Sequence, residues 1–194
     1  MLKLGITGGI GSGKTTVCKL FELLGIPVYY SDEESKKLLA ENMAVKEQVV
    51  ALFGNSILDE EKNIDRKKLA SLVFNNKEQL EKLNAILHPA VGIHFEQWLK
   101  KQNAPYILKE AAILFESGAY KQVDKVITVV APLDLKIQRT IKRDGATKEA
   151  ILSRMQLQLN DEEKVKRSDF VIQNDEQTLL IPQVLDVHKA LINK

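Results

Sequence analysis

The strongest constraint on the fold of this chain is a glycine-rich segment near its amino terminus. Residues 8–15 read GGIGSGKT and fit the pattern G-x-x-x-x-G-K-[ST] at every fixed position. Glycines let backbone N–H groups converge on a polyphosphate, because no side chain stands in the way. The apolar run Leu2–Thr7 predicts a buried strand before this loop, and the pattern from Lys14 predicts a helix after it. The segment therefore predicts a nucleotide-phosphate site at a strand–loop–helix junction.

The chemistry of the pattern assigns a role to its residues. Lys14 is predicted to reach the β- and γ-phosphates of ATP, and the Thr15 hydroxyl to help hold Mg²⁺. The full set of predicted nucleotide-contacting residues in the loop is Gly9, Ile10, Gly11, Ser12, Gly13, Lys14, Thr15 and Thr16. The alternative is a glycine-rich turn that matches by chance, and the strand and helix predicted on either side disfavour it.

The rest of the chain alternates between strand and helix patterns. Further strands are predicted at 26–30, 106–108, 123–130 and 169–172, and helices are predicted from Pro132, from Thr147 and over the carboxyl-terminal segment. This alternation predicts an α/β fold with a parallel sheet and helices on both faces.

One long stretch departs from this alternation. From about Glu33 to Gln102 the pattern is helical, with breaks predicted at Asn75-Asn76 and at His88-Pro89. About 70 helical residues are too many for one crossover between strands. We therefore expect a nucleotide-binding core formed by residues 1–32 and 104–194, with an inserted helical lobe at 33–103.

Composition excludes several classes of protein. Lys and Arg number 28 against 26 Asp and Glu, a balance that does not indicate a nucleic-acid-binding surface. The only cysteine, Cys18, permits no intrachain disulfide and is predicted to be a buried, inert thiol. The sequence contains no run of about 18 apolar residues, so no membrane span is predicted. A cytoplasmic protein with no membrane or nucleic-acid partner is the expectation.

Two carboxylates follow predicted strands and are candidates for the site. Asp32 comes directly after the second strand, where it could orient an acceptor hydroxyl, or it could cap the helix beginning at Glu33. Glu110 comes after the third strand, where it could hold Mg²⁺ through water, or it could be a solvated loop charge. Ligands of parallel sheets bind at the carboxyl ends of the strands, which favours the functional roles. Position alone leaves both alternatives open.

Arginines are the remaining candidates. Arg139 and Arg143 are four residues apart and so share one helix face. Two cations there fit a lid, within about 134–160, that closes over the transferring phosphate and neutralises its charge. A solvated basic face is the alternative, because Lys136 and Lys142 are basic as well.

These motifs together resemble the dephospho-coenzyme A kinase family, P-loop kinases that catalyse the last step of coenzyme A synthesis. The resemblance rests on LGITGGIGSGKTTV, VYYSDEESKKLL, LHPAV at 87–91, AAILFESG at 111–118, VDKVITVVAPLDLKIQRTIKRDG at 123–145, RMQLQL and SDFVIQND. It implies MgATP-dependent phosphorylation of the ribose 3′-hydroxyl of dephospho-CoA, with the helical lobe holding that substrate.

The resemblance also assigns individual residues. Asp32 falls at the catalytic aspartate of the family, Arg139 and Arg143 match the lid arginines, and Asn174 falls near the adenine of ATP. Arg154 matches a further arginine of the lid region, and His88 belongs to the family's HP dipeptide.

The chain departs from the family pattern at three places. Tyr30 stands where the family often has an aspartate, Ala112 replaces a usual proline, and Asp175-Glu176 stand where a glycine is usual.

Two other functions are weighed against this one. Another small P-loop kinase, acting on a nucleoside monophosphate or a small alcohol, would share the loop and the lid. A GTPase switch would carry N-K-x-D for guanine, and the nearest string here, NKEQ at 76–79, lacks the aspartate.

Overall fold

The structure, a computed structural model, describes residues 1–73 and 76–192. Its strands form one five-stranded sheet in the order β2-β3-β1-β4-β5, and every neighbouring pair is parallel. The strands are β1 Leu2–Thr7, β2 Val28–Tyr30, β3 Tyr106–Glu110, β4 Lys125–Val130 and β5 Phe170–Gln173. The predicted parallel sheet is confirmed.

Nine α-helices lie within the described ranges, and the chain divides into two compact units. The helices are α1 Lys14–Leu23, α2 Ser31–Glu41, α3 Met43–Phe53, α4 Arg66–Val73, α5 Lys77–Leu99, α6 Leu133–Asp144, α7 Lys148–Gln156, α8 Asp161–Lys166 and α9 Leu180–Ile192. Unit 1 comprises Met1–Tyr30 together with the chain from Gln102 onward, and unit 2 comprises Ser31–Lys101. No helix in the described part of the chain is long and apolar enough to cross a bilayer.

Helices cover both faces of the sheet in unit 1. On one face, Leu4 and Ile6 of β1 pack in a single core with Phe21 of α1 and Val184 of α9. On the other face a Cβ on Gly5 would meet the Leu114 side chain, and α8 packs on β4. This arrangement follows from the alternation of side chains along a strand, and it confirms the predicted two-faced α/β fold.

Unit 2 is helical, and its core lies where α5 packs against α2, α3 and α4. The predicted break at His88-Pro89 is wrong, because α5 is continuous with Pro89 inside it. A proline in a helix interior removes one backbone hydrogen bond, and the packing of α5 on three neighbouring helices outweighs that cost. Asn76 caps α5 by accepting a bond from Gln79 N, whereas Asn75 lies outside the described residues.

The topology of unit 1 gathers loop ends at one edge of the sheet. Register pairs Ile6 of β1 with Glu110 of β3, and Val130 of β4 with Gln173 of β5. Because the strands are parallel, the segments that follow them all leave from the same edge. The glycine-rich loop after β1 is one of these segments.

Candidate active site

The loop between β1 and α1 makes close contacts with the backbone and side chains around it. Gly11 and Gly13 have φ angles of +79° and +90°, a region that side-chain-bearing residues rarely adopt. A Cβ on Gly11 would lie 2.3 Å from the carbonyl oxygen of Lys136, and one on Gly13 would lie 2.0 Å from Nδ2 of Asn174. Glycine is therefore required at both positions by conformation and by space.

The Lys14 side chain folds back over this loop. It is buried, and its Nζ donates a hydrogen bond to the Gly8 carbonyl oxygen at 3.1 Å. The first turn of α1 contains no acidic residue, so no carboxylate there offsets the positive end of the helix dipole. The Ser12 hydroxyl is buried and has no hydrogen-bond partner within the described ranges, a deficit that a bound polar ligand can relieve. The loop thus offers an ammonium, helix-end amides and a hydroxyl to an anion.

Asn174, directly after β5, is bonded to the loop. Its Nδ2 donates to the Ser12 carbonyl oxygen at 2.8 Å. Its own backbone oxygen accepts a bond from Nη1 of Arg139 at 3.1 Å, and its Oδ1 accepts one from Nη2 at 3.5 Å. Two residues predicted for the nucleotide site from distant parts of the sequence therefore meet beside the loop and connect it to α6.

Arg139 also meets a carboxylate at one of the departures from the family pattern. Glu176 has a φ of +66°, the left-handed conformation that a glycine adopts without strain. Its Oε1 accepts a bond from Nη2 of Arg139 at 2.9 Å. Glu176, which stands where a glycine is usual, thus places a carboxylate against the guanidinium of Arg139, a predicted lid residue.

Arg143, one turn after Arg139 on α6, has different hydrogen-bond partners from Arg139. Arg143 Nε and Nη2 donate to Asp144 at 2.6 and 3.0 Å, and Arg154 Nη1 donates to the same carboxylate at 3.3 Å. The hydrogen bonds from Arg143 are the main cause that lowers the pKa of Asp144 to about 2, with Arg154 contributing. This carboxylate links α6 to α7.

Sequence patterns missed three side chains beside the loop. Oε1 of Gln158 accepts a bond from the backbone N–H of Ile10 at 3.1 Å across 148 positions of sequence. Nζ of Lys136 bonds Oδ2 of Asp161 at 2.7 Å, and a Cβ on Gly9 would lie 3.3 Å from that ammonium. The Lys136 side chain is mostly buried, in contrast to the solvated basic face that was the alternative for this region.

Glu110 ends β3 as a buried carboxylate, and the solvated-loop alternative is therefore wrong. Burial raises the pKa of the Cys18 thiol, the Glu110 and Glu22 carboxylates raise it further, and the Lys14 ammonium opposes them. Glu110 and Lys14 thus both lie within electrostatic range of the same thiol, one turn into α1. The thiol is fully buried and stays protonated, as expected for an inert cysteine.

The predicted metal ligands provide oxygen donors. Thr15 is exposed in the first turn of α1, and Glu110 offers a carboxylate. No cluster of three or more His, Cys, Asp or Glu side chains suited to a metal occurs in the described part of the chain. Mg²⁺ bound with a nucleotide needs only one or two protein oxygens, because phosphates and water complete its octahedron. The residues present therefore fit a nucleotide-bound Mg²⁺.

Asp32 belongs to unit 2 and lies in the first turn of α2. The helix begins at Ser31, so Asp32 is inside it, and the alternative of a cap for a helix beginning at Glu33 is wrong. Its side chain is exposed, and an acid in a first turn interacts favourably with the helix dipole. The carboxylate follows the last residue of β2 by two positions.

Tyr30 and Ala112, the other two departures from the family pattern, also contact neighbours within unit 1. The Tyr30 hydroxyl bonds the Glu22 carboxylate, and burial is the main cause that raises its pKa. The Ala112 carbonyl oxygen accepts bonds from Thr7 Oγ1 at 3.4 Å and from Lys164 Nζ at 3.2 Å.

Comparisons with known proteins agree on one family. The family model described as dephospho-CoA kinase matches residues 2–179. The dephospho-CoA kinase of Bacteroides fragilis strain YCH46 is 42% identical over 194 residues, covering 100% of this chain and 94% of that protein. The structure of the dephospho-CoA kinase from Campylobacter jejuni is similar with a TM-score of 0.70 and 32% identity, covering 98% of each chain. A crystal structure of a Thermus thermophilus protein gives a TM-score of 0.85 and 32% identity, covering 99% of this chain and 96% of that one.

Proposed function

Since the chain belongs to the dephospho-CoA kinase family, we propose that it transfers the γ-phosphoryl group of ATP to the ribose 3′-hydroxyl of dephospho-CoA, giving coenzyme A. The observation that carries this proposal is the match of the family model over residues 2–179, which include the glycine-rich loop and all of the helical unit. An activity shared by P-loop proteins in general would require only the loop.

ATP is the phosphoryl donor, and the loop residues from Gly9 to Thr16 bind its phosphates. Support comes from the buried Lys14 ammonium, the amide-rich turn and the helix end without an acid in its first turn. Asn174 takes part by holding the Ser12 carbonyl, which fixes the path of the loop. Thr15 and Glu110 would hold Mg²⁺, which supplies charge neutralisation to the phosphates when it is bound.

Asp32 orients the 3′-hydroxyl of the acceptor and takes its proton late in the transfer. Phosphoryl transfer passes through a loose transition state, so the carboxylate need not be a strong base. Support comes from its exposed side chain in the first turn of α2 and its position two residues after a strand of the parallel sheet. Unit 2 carries the acceptor.

Arg139 and Arg143 neutralise charge on the transferring phosphoryl group as parts of a lid that excludes water. In the structure their guanidiniums bind Asn174, Glu176 and Asp144. Contact with phosphate therefore requires exchange of these partners, and loss of the exposed ion pairs with Glu176 and Asp144 costs only about 0–1 kcal/mol each.

Incubation with MgATP and dephospho-CoA tests the proposal. We expect a product one phosphate heavier, with the new phosphate on the 3′-oxygen by phosphorus–proton NMR correlation. Another small P-loop kinase, acting on a nucleoside monophosphate or a small alcohol, is the competing function, so AMP and shikimate serve as control acceptors. Phosphorylation of a control acceptor in preference to dephospho-CoA would overturn the proposal.

A further inference from the structure

An ion pair lies against the start of the glycine-rich loop. Nζ of Lys136, on α6, bonds Oδ2 of Asp161, the first residue of α8, at 2.7 Å. A Cβ on Gly9 would lie 3.3 Å from the ammonium nitrogen and 3.2 Å from Oδ1 of the carboxylate. The φ angle of Gly9 is not positive, so contact with this pair, rather than backbone conformation, leaves little room for a side chain there. Both members of the pair therefore contact the loop.

This end of the loop is also where Lys14 places its ammonium. Nζ of Lys14 donates to the Gly8 carbonyl oxygen at 3.1 Å, and Gly9 is the next residue along the chain. The lysine of this loop pattern reaches the β- and γ-phosphates of a bound nucleotide. We therefore expect the γ-phosphate of ATP at the start of the loop, on the side where Lys136 lies.

A second donor at this end of the loop is engaged by the same stretch of chain. The backbone N–H of Ile10 donates to Oε1 of Gln158 at 3.1 Å. Gln158 precedes Asp161 by three residues, so residues 158–161 present an amide oxygen and a carboxylate to two neighbouring donors. Phosphate oxygens are acceptors for the same N–H groups. The start of the loop thus offers two donors that bind oxygen atoms.

The two members of the ion pair differ in exposure. The Lys136 side chain is 11% exposed, and the Asp161 side chain is 26% exposed. The aspartate is therefore the partner that can turn toward water while the ammonium stays at the loop. A terminal phosphate carries more negative charge than a carboxylate and presents three acceptor oxygens, so it competes for the ammonium. Exchange of Asp161 for phosphate keeps the ammonium paired.

We propose that Lys136 contacts the γ-phosphate of ATP and that Asp161 holds its ammonium at the loop until the nucleotide binds. The inference rests on the proposed function for the identity of the phosphoryl donor. It adds a cation beyond Lys14 and the arginines of α6, and it makes Lys136 the residue that distinguishes a nucleoside triphosphate from a diphosphate. The alternative is a pair that only fastens α6 to α8.

Calorimetric titration of ADP and of adenylyl imidodiphosphate (AMP-PNP), an ATP analogue that is not cleaved, tests the proposal without an acceptor. Lys136→Met should weaken AMP-PNP binding at least about tenfold and leave ADP binding within about twofold, because a charge-assisted bond to the γ-phosphate is lost. Lys142→Met removes an exposed cation of the same helix and should match wild type for both nucleotides. Equal weakening of ADP and AMP-PNP by Lys136→Met, or no weakening of either, would overturn the proposal.

Asp161→Asn separates a contact with phosphate from a purely structural pair. It removes the charge that competes for Lys136, so AMP-PNP binding should be unchanged or up to about fivefold tighter. A pair that only fastens the helices predicts that Asp161→Asn and Lys136→Met weaken AMP-PNP binding alike, and that result would overturn the proposal. Lys136→Gln keeps a polar side chain and takes the place of Lys136→Met if the latter does not fold.

Product inhibition during turnover gives a second readout. The ratio of the inhibition constant for ADP to the KM for ATP should fall at least about tenfold in Lys136→Met, because only the triphosphate loses a contact. An unchanged ratio would overturn the proposal while leaving the proposed function intact. A wild-type protein that forms no coenzyme A would instead overturn the proposed function, and the titrations would still decide the role of Lys136, because they need no acceptor.

Discussion

The close approach of Asn174 to Gly13 predicts that an alanine at position 13 lowers both the free energy of unfolding and the affinity for ATP. Gly13→Ala places a methyl group 2.0 Å from Nδ2 of Asn174, so the buried amide must move and release the Ser12 carbonyl. Gly25→Ala is the matched control. Gly25 also has a positive φ, +78°, but a Cβ there meets nothing within 4 Å.

The difference between the two variants isolates the steric contact. A left-handed conformation costs a residue with a side chain about 1–2 kcal/mol, and this cost applies to both. Loss of the hydrogen bond to a buried carbonyl adds about 1–3 kcal/mol for Gly13→Ala alone. We therefore expect the free energy of unfolding to fall by about 1–2 kcal/mol for Gly25→Ala and by about 2–5 kcal/mol for Gly13→Ala.

Urea denaturation followed by far-UV circular dichroism measures both values, and calorimetric titration measures ATP affinity. Gly13→Ala should weaken ATP binding at least about tenfold, because the loop path that Asn174 fixes is lost, whereas Gly25→Ala should stay within about twofold. Equal destabilisation of the two variants, or unimpaired ATP binding by Gly13→Ala, would refute the account of Asn174 as the residue that holds the loop.

Three further predictions concern charged side chains of unit 1. Glu176→Gln should release Arg139 and lower the KM for ATP by up to about fivefold in steady-state assays, and a higher KM would contradict this. Lys164→Met should lower the free energy of unfolding by about 3 kcal/mol, because the buried ammonium bonds Glu116, and a loss below about 1 kcal/mol in urea denaturation would show the pair to be dispensable. Asp144→Asn should cost less than about 1 kcal/mol at pH 7. The pKa of Asp144 in the folded protein is depressed to about 2, so its stabilising effect is lost as the pH falls from about 4 to 2. The difference in free energy of unfolding between Asp144→Asn and wild type should therefore disappear over this range. A difference that persists at pH 2 would contradict a stabilising contact between Asp144 and Arg143.

The sequence predicts the strands and helices whose formation depends on a local pattern of residues. Buried parallel strands such as β4 are short apolar runs, and the cap at Thr147, which accepts a bond from Ala150 N, is a local hydrogen bond. Pro89 misled the prediction for α5, since packing of the whole helix outweighed one missing N–H. The helix α8 has few apolar residues, but Asn160 followed by three acids is a start signal that would have located it.

The sequence predicted which residues belong to the candidate site, but not which residues each of them contacts. The glycine-rich pattern located Lys14 and the tight loop, because that chemistry is encoded within eight residues. The contact of Gln158 with Ile10 and that of Asn174 with Ser12 join positions 148 and 162 residues apart. Such pairs depend on how helices pack after the strands align, and no short pattern encodes them.

The central claim is that Asp32 directs the acceptor hydroxyl while the glycine-rich loop holds ATP. The most direct measurement is the kcat and the KM for ATP of Asp32→Asn, with Glu33→Gln as a control from the same first turn of α2. The account predicts a fall in kcat of about 10²–10⁴-fold for Asp32→Asn, an ATP KM within about twofold of wild type, and near-normal kcat for Glu33→Gln. A kcat for Asp32→Asn close to that of wild type would contradict it.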